Sequence, residues 1–230
     1  MKRTWMVLGL LVFALSASTI STFLPHRLYG KRIAGQVVDA DTGKPIGGAH
    51  VAFFWQSPII PSGFTGHNSR DICYHAAATV TDEQGRFAVP PWRKWSTFSV
   101  FVLDPIAIVY AHGYTPRQIP LLEGDFKPPE EKMNERYALR RFSGTVDEHL
   151  NVMWGGIANH GCMYGGESQK SLFPMLKAIH DEAKRIATTS VQKKEVGGYA
   201  VMAANAAIAA NPNGPSNDAE VERFIKENLQ

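Results

Sequence analysis

At 230 residues, with 44% apolar and 20% charged side chains, the chain has the composition of a globular protein and not of a disordered one. The length allows one large or two small domains. The formal charge of +3 is small, and part of it sits on Lys2, Arg3, Arg27, Lys31 and Arg32. What remains leaves no basic patch of the kind that binds nucleic acid.

The first 31 residues are expected to be a targeting segment, outside the folded body. Lys2-Arg3 forms a positive start, Trp5–Leu15 carries no charge, and the apolar character continues to Leu24. Two readings follow. As a cleaved signal peptide the segment would end near Ala14-Leu15-Ser16 or Ala17-Ser18-Thr19. As an anchor, residues 5–24 supply about 20 residues, matching the roughly 30 Å of a bilayer core at 1.5 Å per residue. The length of the uncharged run favours the anchor. Either way the body is exported, periplasmic, and on the anchor reading tied to the inner membrane. No cysteine lies near the run, which argues against a lipoprotein.

Residues 33–89 read as short strands joined by tight turns. In Asp39-Ala40-Asp41-Thr42-Gly43-Lys44-Pro45, Asp side chains can bond backbone two residues on, and Pro45 fixes φ. In the run 49–55, Val51, Phe53 and Trp55 fall on one face and Ala52 and Phe54 on the other. Both faces are apolar, so a central strand is expected. Residues 78–81 and 87–89 flank Asp82-Glu83-Gln84-Gly85 as a hairpin. Between them, 56–74 reads as a long loop carrying His67. After the hairpin, Pro90-Pro91-Trp92-Arg93-Lys94-Trp95 offers two indoles and two cations. They form either a cation–π or sugar-stacking platform or a cap on the open end of the sandwich. Residues 97–103, 106–112 and 117–122 complete the expected strands.

Three stretches, GQVVDADTGKPIGGAHV, TVTDEQGRF and the pair Gly113-Tyr114, resemble the carboxypeptidase regulatory-like domain family over residues 33–122. The resemblance implies a transthyretin-like antiparallel β-sandwich of about seven strands and a non-catalytic, exported role. The fold class expected is therefore α+β. An N-terminal signal or transmembrane helix precedes the sandwich at 32–122. A charged linker at 123–136 leads to a helical extension at 137–230, packed on the sandwich.

In the extension, Tyr137–Phe142 adds an edge strand or leads into a helix. Thr145 and Glu148 form a capping box for a helix expected to stop at Gly155-Gly156. Leu172, Leu176, Ile179, Ala183 and Ile186 mark a second amphipathic helix with Pro174 in its first turn. Residues 196–210 read as a small-residue helix or as a poorly ordered stretch, and 219–229 as a terminal helix. The two cysteines, Cys73 and Cys162, suit one disulfide in an exported chain.

The chemistry the residues argue for is limited. No His-x-x-Glu or His-Glu-x-x-His pair exists for a zinc peptidase. The C-terminal Tyr-Arg-Gly-Ser signature of the transthyretin-like hydrolases is missing. His149, Met153, His160 and Met163 around Cys162 have copper-like ligand types, but such residues more often sit on a helix face or fill a core. No cofactor, metal or catalytic residue is expected. The expected role is interaction with an envelope protein or polysaccharide, through Trp92, Arg93, Trp95 and His67. The alternatives are an accessory single-pass subunit of a membrane complex, and an unrecognised hydrolase or metal-binding protein.

Overall fold

The computed structural model describes residues 26–57, 72–96, 105–120, 135–158, 167–208 and 218–229. Residues 5–24 lie outside them. Among the described residues no helix is long and apolar enough to cross a membrane.

Four strands make the central sheet: β3 (His50–Ser57), β4 (Ile72–Val80), β7 (Ile106–Tyr110) and β8 (Arg117–Pro120). Their order is β4-β3-β7-β8 and every pair is antiparallel. The apolar-on-both-faces pattern of β3 has its cause here. Val51, Phe53 and Trp55 join one core cluster, and Ala52 and Phe54 join another on the opposite face. A strand buried on both sides needs no polar alternation.

The first cluster is closed by a second sheet, made of β2 (Ile33–Asp39), β5 (Arg86–Val89) and β9 (Glu135–Leu139) in the order β5-β2-β9. Val37, Phe87, Val89, Tyr137 and Leu139 are its inward residues. The β2–β5 pair is antiparallel, but β2 and β9 run parallel. Every described strand pair within the expected sandwich at 32–122 is antiparallel; the parallel partner, β9, comes from outside that range. β9 returns from beyond the expected linker, and a strand reached by a long crossover can align parallel where a hairpin cannot. The boundary set at 136/137 falls inside this strand.

The second cluster is closed by helices. These are α1 (Val146–Ala158), α2 (Phe173–Ile186) after a 3-10 turn at Glu167–Leu172, α3 (Ser190–Ile208) and α4 (Asp218–Asn228). Leu150, Met153, Leu176, Ile179, Ala200 and Ala203 pack with Ala52, Phe54, Ala76, Ile108 and Tyr110 of the central sheet. The molecule is thus α+β in three layers: sheet, sheet, helices. β4 is Ala-rich, and its small side chains let the 3-10 turn approach closely; the Ser171 hydroxyl donates to the Ala76 carbonyl at 3.2 Å.

Two strands lie where none were expected. β1 (His26–Gly30), within the expected targeting segment, pairs antiparallel with β6 (Trp92–Ser96). Gly30 opposite Trp92 and Ile33 opposite Val89 belong to one continuous register. The ladder breaks only at Lys31-Arg32 and Pro90-Pro91, where the prolines lack the N–H groups a continuous ribbon needs. With these two, nine strands are present among the described residues, against about seven expected. β3 and β4 also extend into the expected 56–74 loop, reaching Ser57 and starting at Ile72. The strand expected at 97–103 lies outside the described residues.

α1 continues through Gly155-Gly156 to Ala158. Burial of Leu150, Met153 and Ile157 on the core outweighs roughly 1 kcal/mol of helix propensity per glycine. α3 settles the residues 190–208 as helix, and α2 follows the expected stripe, with Leu172, Leu176, Ile179 and Ala183 buried.

Candidate functional site

The ribbon of β1 and β6 holds most of the expected binding residues, and it separates them. Trp92 is only 9% exposed and belongs to the sandwich core. Its indole lies against Trp55 at 5.4 Å and stacks on His75 at 4.5 Å. It also covers Gly30 so closely that a Cβ there would sit 2.1 Å from the indole nitrogen. Trp92 is therefore packed into the sandwich, as the expected cap would be, and it also lines the cleft described next. Leu28 packs on the same core. The alternate positions face outward: Trp95 and Tyr29 are each 65% exposed, and Arg93, paired with Tyr29 in register, is exposed too. His67 lies outside the described residues.

Beside the ribbon, at its seam with the 3-10 turn, lies a cleft of about 560 Å³. Among the described residues its charged lining is Arg93, Lys94 and Lys170, with His75 and Trp92 beside them and no carboxylate. Burial, and then the charge of Lys94, hold the His75 imidazole below its ordinary pKa. A second groove, of about 750 Å³, runs over the outer face of the β5-β2-β9 sheet between Arg32, Arg86 and Arg136. Its one acid among the described residues, Asp82, is paired with Arg86 at 3.0 Å. Both surfaces are shaped to take negative charge.

A third cluster joins the sandwich to the helices. Glu182 of α2 has a fully buried side chain. Its carboxylate accepts the Tyr110 hydroxyl and, at 2.9 Å, the Gly113 N–H. His112 Nδ1 is 3.2 Å away and Arg185 3.6 Å. Burial and then this carboxylate push the Tyr110 phenol far above its ordinary pKa. The oxygens of Glu182 are thus committed to donors that hold two layers together, which suits a structural tie better than a base awaiting a substrate. The convergence spans 72 residues of sequence between Tyr110 and Glu182. Its one sequence signal is an acid three residues after Ile179, on the apolar face of α2.

His149 lies near this tie, 7% exposed, stacked on Phe142 at 4.2 Å and bonded to the Tyr114 backbone. Its Nε2 is 3.9 Å from Glu182. Burial lowers its pKa against the opposing pull of Glu182. Met153 is completely buried in the helical core. Among the described residues no group of three or more His, Cys, Asp or Glu is placed to hold a metal ion. His160 and Met163 lie outside those residues. Cys73, in β4, is disulfide-bonded, and no described cysteine is free. Cys162 also lies outside the described residues.

The Asp39 corner accounts for the Asp-x-x-Thr-Gly motif. Its carboxylate accepts N–H bonds from Asp41 and Thr42 at 3.0 and 2.8 Å, and the Tyr114 hydroxyl at 2.9 Å. Arg141 lies 3.3 Å from it and over the Tyr114 ring. Asp39, Asp41, Thr42 and Tyr114 are thereby engaged in holding this corner.

No family model matches this chain, and no curated protein matches it either. Solved structures similar to parts of it include a 3-chlorocatechol 1,2-dioxygenase from Rhodococcus opacus 1CP, at 16% identity and a TM-score of 0.29, over 48% of this chain and 59% of that one. Another is a 9R-lipoxygenase from Cyanothece PCC8801, at 14% identity and a TM-score of 0.27, over 71% of this chain and 26% of that one. At these scores neither bears on fold or function.

Proposed function

We propose that the chain is a non-catalytic, exported module of the cell envelope, held at the inner membrane by residues 5–24, that docks the acidic groups of a polysaccharide or protein partner. The observation that carries this reading is the cleft lined by Arg93, Lys94 and Lys170, with no carboxylate among the described residues that line it. Cations gathered on a rigid frame raise the local concentration of an anionic partner and orient its carboxylates or phosphates. The carboxypeptidase regulatory-like, transthyretin-like reading of residues 33–122 belongs to the same proposal. So does the pairing of Cys73 with Cys162. Unreduced peptide mapping is expected to recover those two peptides joined. In the chain-entropy model, reducing a loop of about 90 residues costs roughly 4–5 kcal/mol of stability.

The docking test uses the full chain extracted in mild detergent, with polygalacturonate as a linear acidic probe and dextran as a neutral one. Binding to polygalacturonate is expected, weakening as salt rises. The pair Arg93→Glu and Lys170→Glu is expected to abolish it. Equal binding to dextran, or unchanged binding by the charge-reversed pair, sinks the reading.

A further inference from the structure

The outward face of the β1–β6 ribbon has a chemistry different from that of the cleft, and a different neighbour along the chain. Tyr29 and Trp95 are each 65% exposed. Exposed aromatic rings with polar edges, flanked by Arg, are the composition that sits at the level of lipid headgroups. The ribbon is also fixed in orientation, because Leu28 and Trp92 on its other face belong to the sandwich core. Gly30 seats the Trp92 indole, so the outward face cannot turn inward without breaking that contact.

The register brings this face close to the end of the apolar run. Trp95 stands opposite Arg27, three residues beyond Leu24. At no more than 3.6 Å per residue, Arg27 lies within about 10 Å of the end of that run. The headgroup layer on each side of a bilayer core is about 5–8 Å deep. A ring on the strand beside Arg27 is therefore within reach of it.

We infer that the Tyr29–Trp95 face of the ribbon rests on the lipid surface, as an interfacial foot that sets the sandwich at a fixed angle to the membrane. The inference rests on the anchored reading of residues 5–24 proposed above. Indole and phenol rings partition into the interface, while Arg93 stays with the neighbouring cleft. The foot leaves the Arg32–Arg86–Arg136 groove, on the outer face of the second sheet, as a separate surface.

The test is photo-crosslinking of the full chain in vesicles of phosphatidylcholine and phosphatidylglycerol. Benzophenone side chains replace Tyr29, Trp95 or, as an exposed control on α3, Val191, which is 68% exposed. All three positions are exposed, and circular dichroism of each substituted chain against the unsubstituted one confirms that it is folded. Phospholipid adducts, read by mass spectrometry, are expected at 29 and 95 at about ten times or more the yield at 191. Yields at 29 and 95 no higher than at 191 overturn the inference. A polypeptide or polysaccharide adduct at 95 in whole cells, without lipid, also overturns it. So does an intact mass showing that residues 1–24 are missing, since nothing would then bring the ribbon to lipid. Polygalacturonate binding by the same vesicles reads the cleft separately, so the foot can fail while the docking reading stands.

Discussion

Asp39 is an acid-sensitive clamp. Bonds from the Thr42 N–H, then from the Tyr114 hydroxyl, hold its carboxyl at about 2, below its ordinary 3.8. A folded-state pKa below the unfolded one means stability present above the ordinary value and lost as pH falls through the lower one. The melting temperature is therefore expected to drop between about pH 4 and pH 2. Asp39→Asn should flatten that limb, and an unchanged acid limb in the variant would remove Asp39 as its source. Half of this clamp was legible: Asp41 and Thr42 are local, and the turn chemistry named them. Tyr114 and Arg141 were not, because only the closed sandwich brings them to the corner. Glu182 has the same character. An acid on the apolar face of α2 is a visible anomaly, but its partners Tyr110, Gly113 and His112 come from another layer. Tyr110→Phe leaves a buried carboxylate oxygen short of a donor. It is expected to cost about 1–3 kcal/mol in urea unfolding, and a change within about 0.3 kcal/mol would contradict the role of Glu182 as a tie.

At the level of elements, local rules succeeded where the decisive partners were a few residues away. The capping box formed as read: the Thr145 N–H donates to Glu148 at 2.7 Å, and the Glu148 N–H reaches the Thr145 hydroxyl at 3.3 Å. Thr145→Ala is expected to destabilise the chain by about 1 kcal/mol, measured by urea unfolding, with no change of fold by circular dichroism. Elements were misread where packing overrode propensity. β4 is poor in β-branched residues across Ala76–Ala78, yet small side chains are what the helical layer requires there. α1 passes through two glycines because Leu150, Met153 and Ile157 on the same helix are buried in the core; a Cβ at Gly156 would meet Pro116 only at ordinary contact distance, 3.4 Å. β6 was obscured by Pro90-Pro91, which look like the end of a sheet. They mark a break in one ladder, and across them the core-facing residue changes from Val89 to Trp92, three positions apart rather than two or four. The parallel placement of β9 depends on a crossover that no local pattern encodes.

For the whole molecule, the consequence of a central sheet buried on both faces is that the sandwich and the helices are not independent. A two-layer sandwich would present Ala52, Phe54, Ala76, Ile108 and Tyr110 to water; in the three-layer body all five are buried in one cluster with residues of the 3-10 turn and the helices. Removing those helices uncovers a contiguous apolar face, and such faces drive association. It also leaves Tyr110 without Glu182, and Gly113 without its acceptor. A chain ending at Phe142 is thus expected to sediment as aggregates and to bind a hydrophobic dye. A chain ending at Ile208, which lacks only α4, should stay monomeric, since α4 contributes Val221 and few other buried residues. Because truncation at Phe142 also removes Cys162, both truncated chains and the full-length control carry Cys73→Ser, so that the loss of a disulfide is common to all three. A monomeric, dye-silent chain ending at Phe142, with near-ultraviolet dichroism like that of the control, would mean that the sandwich closes without the helices. The helical layer would then be an attachment to a self-sufficient domain instead of the second half of its core.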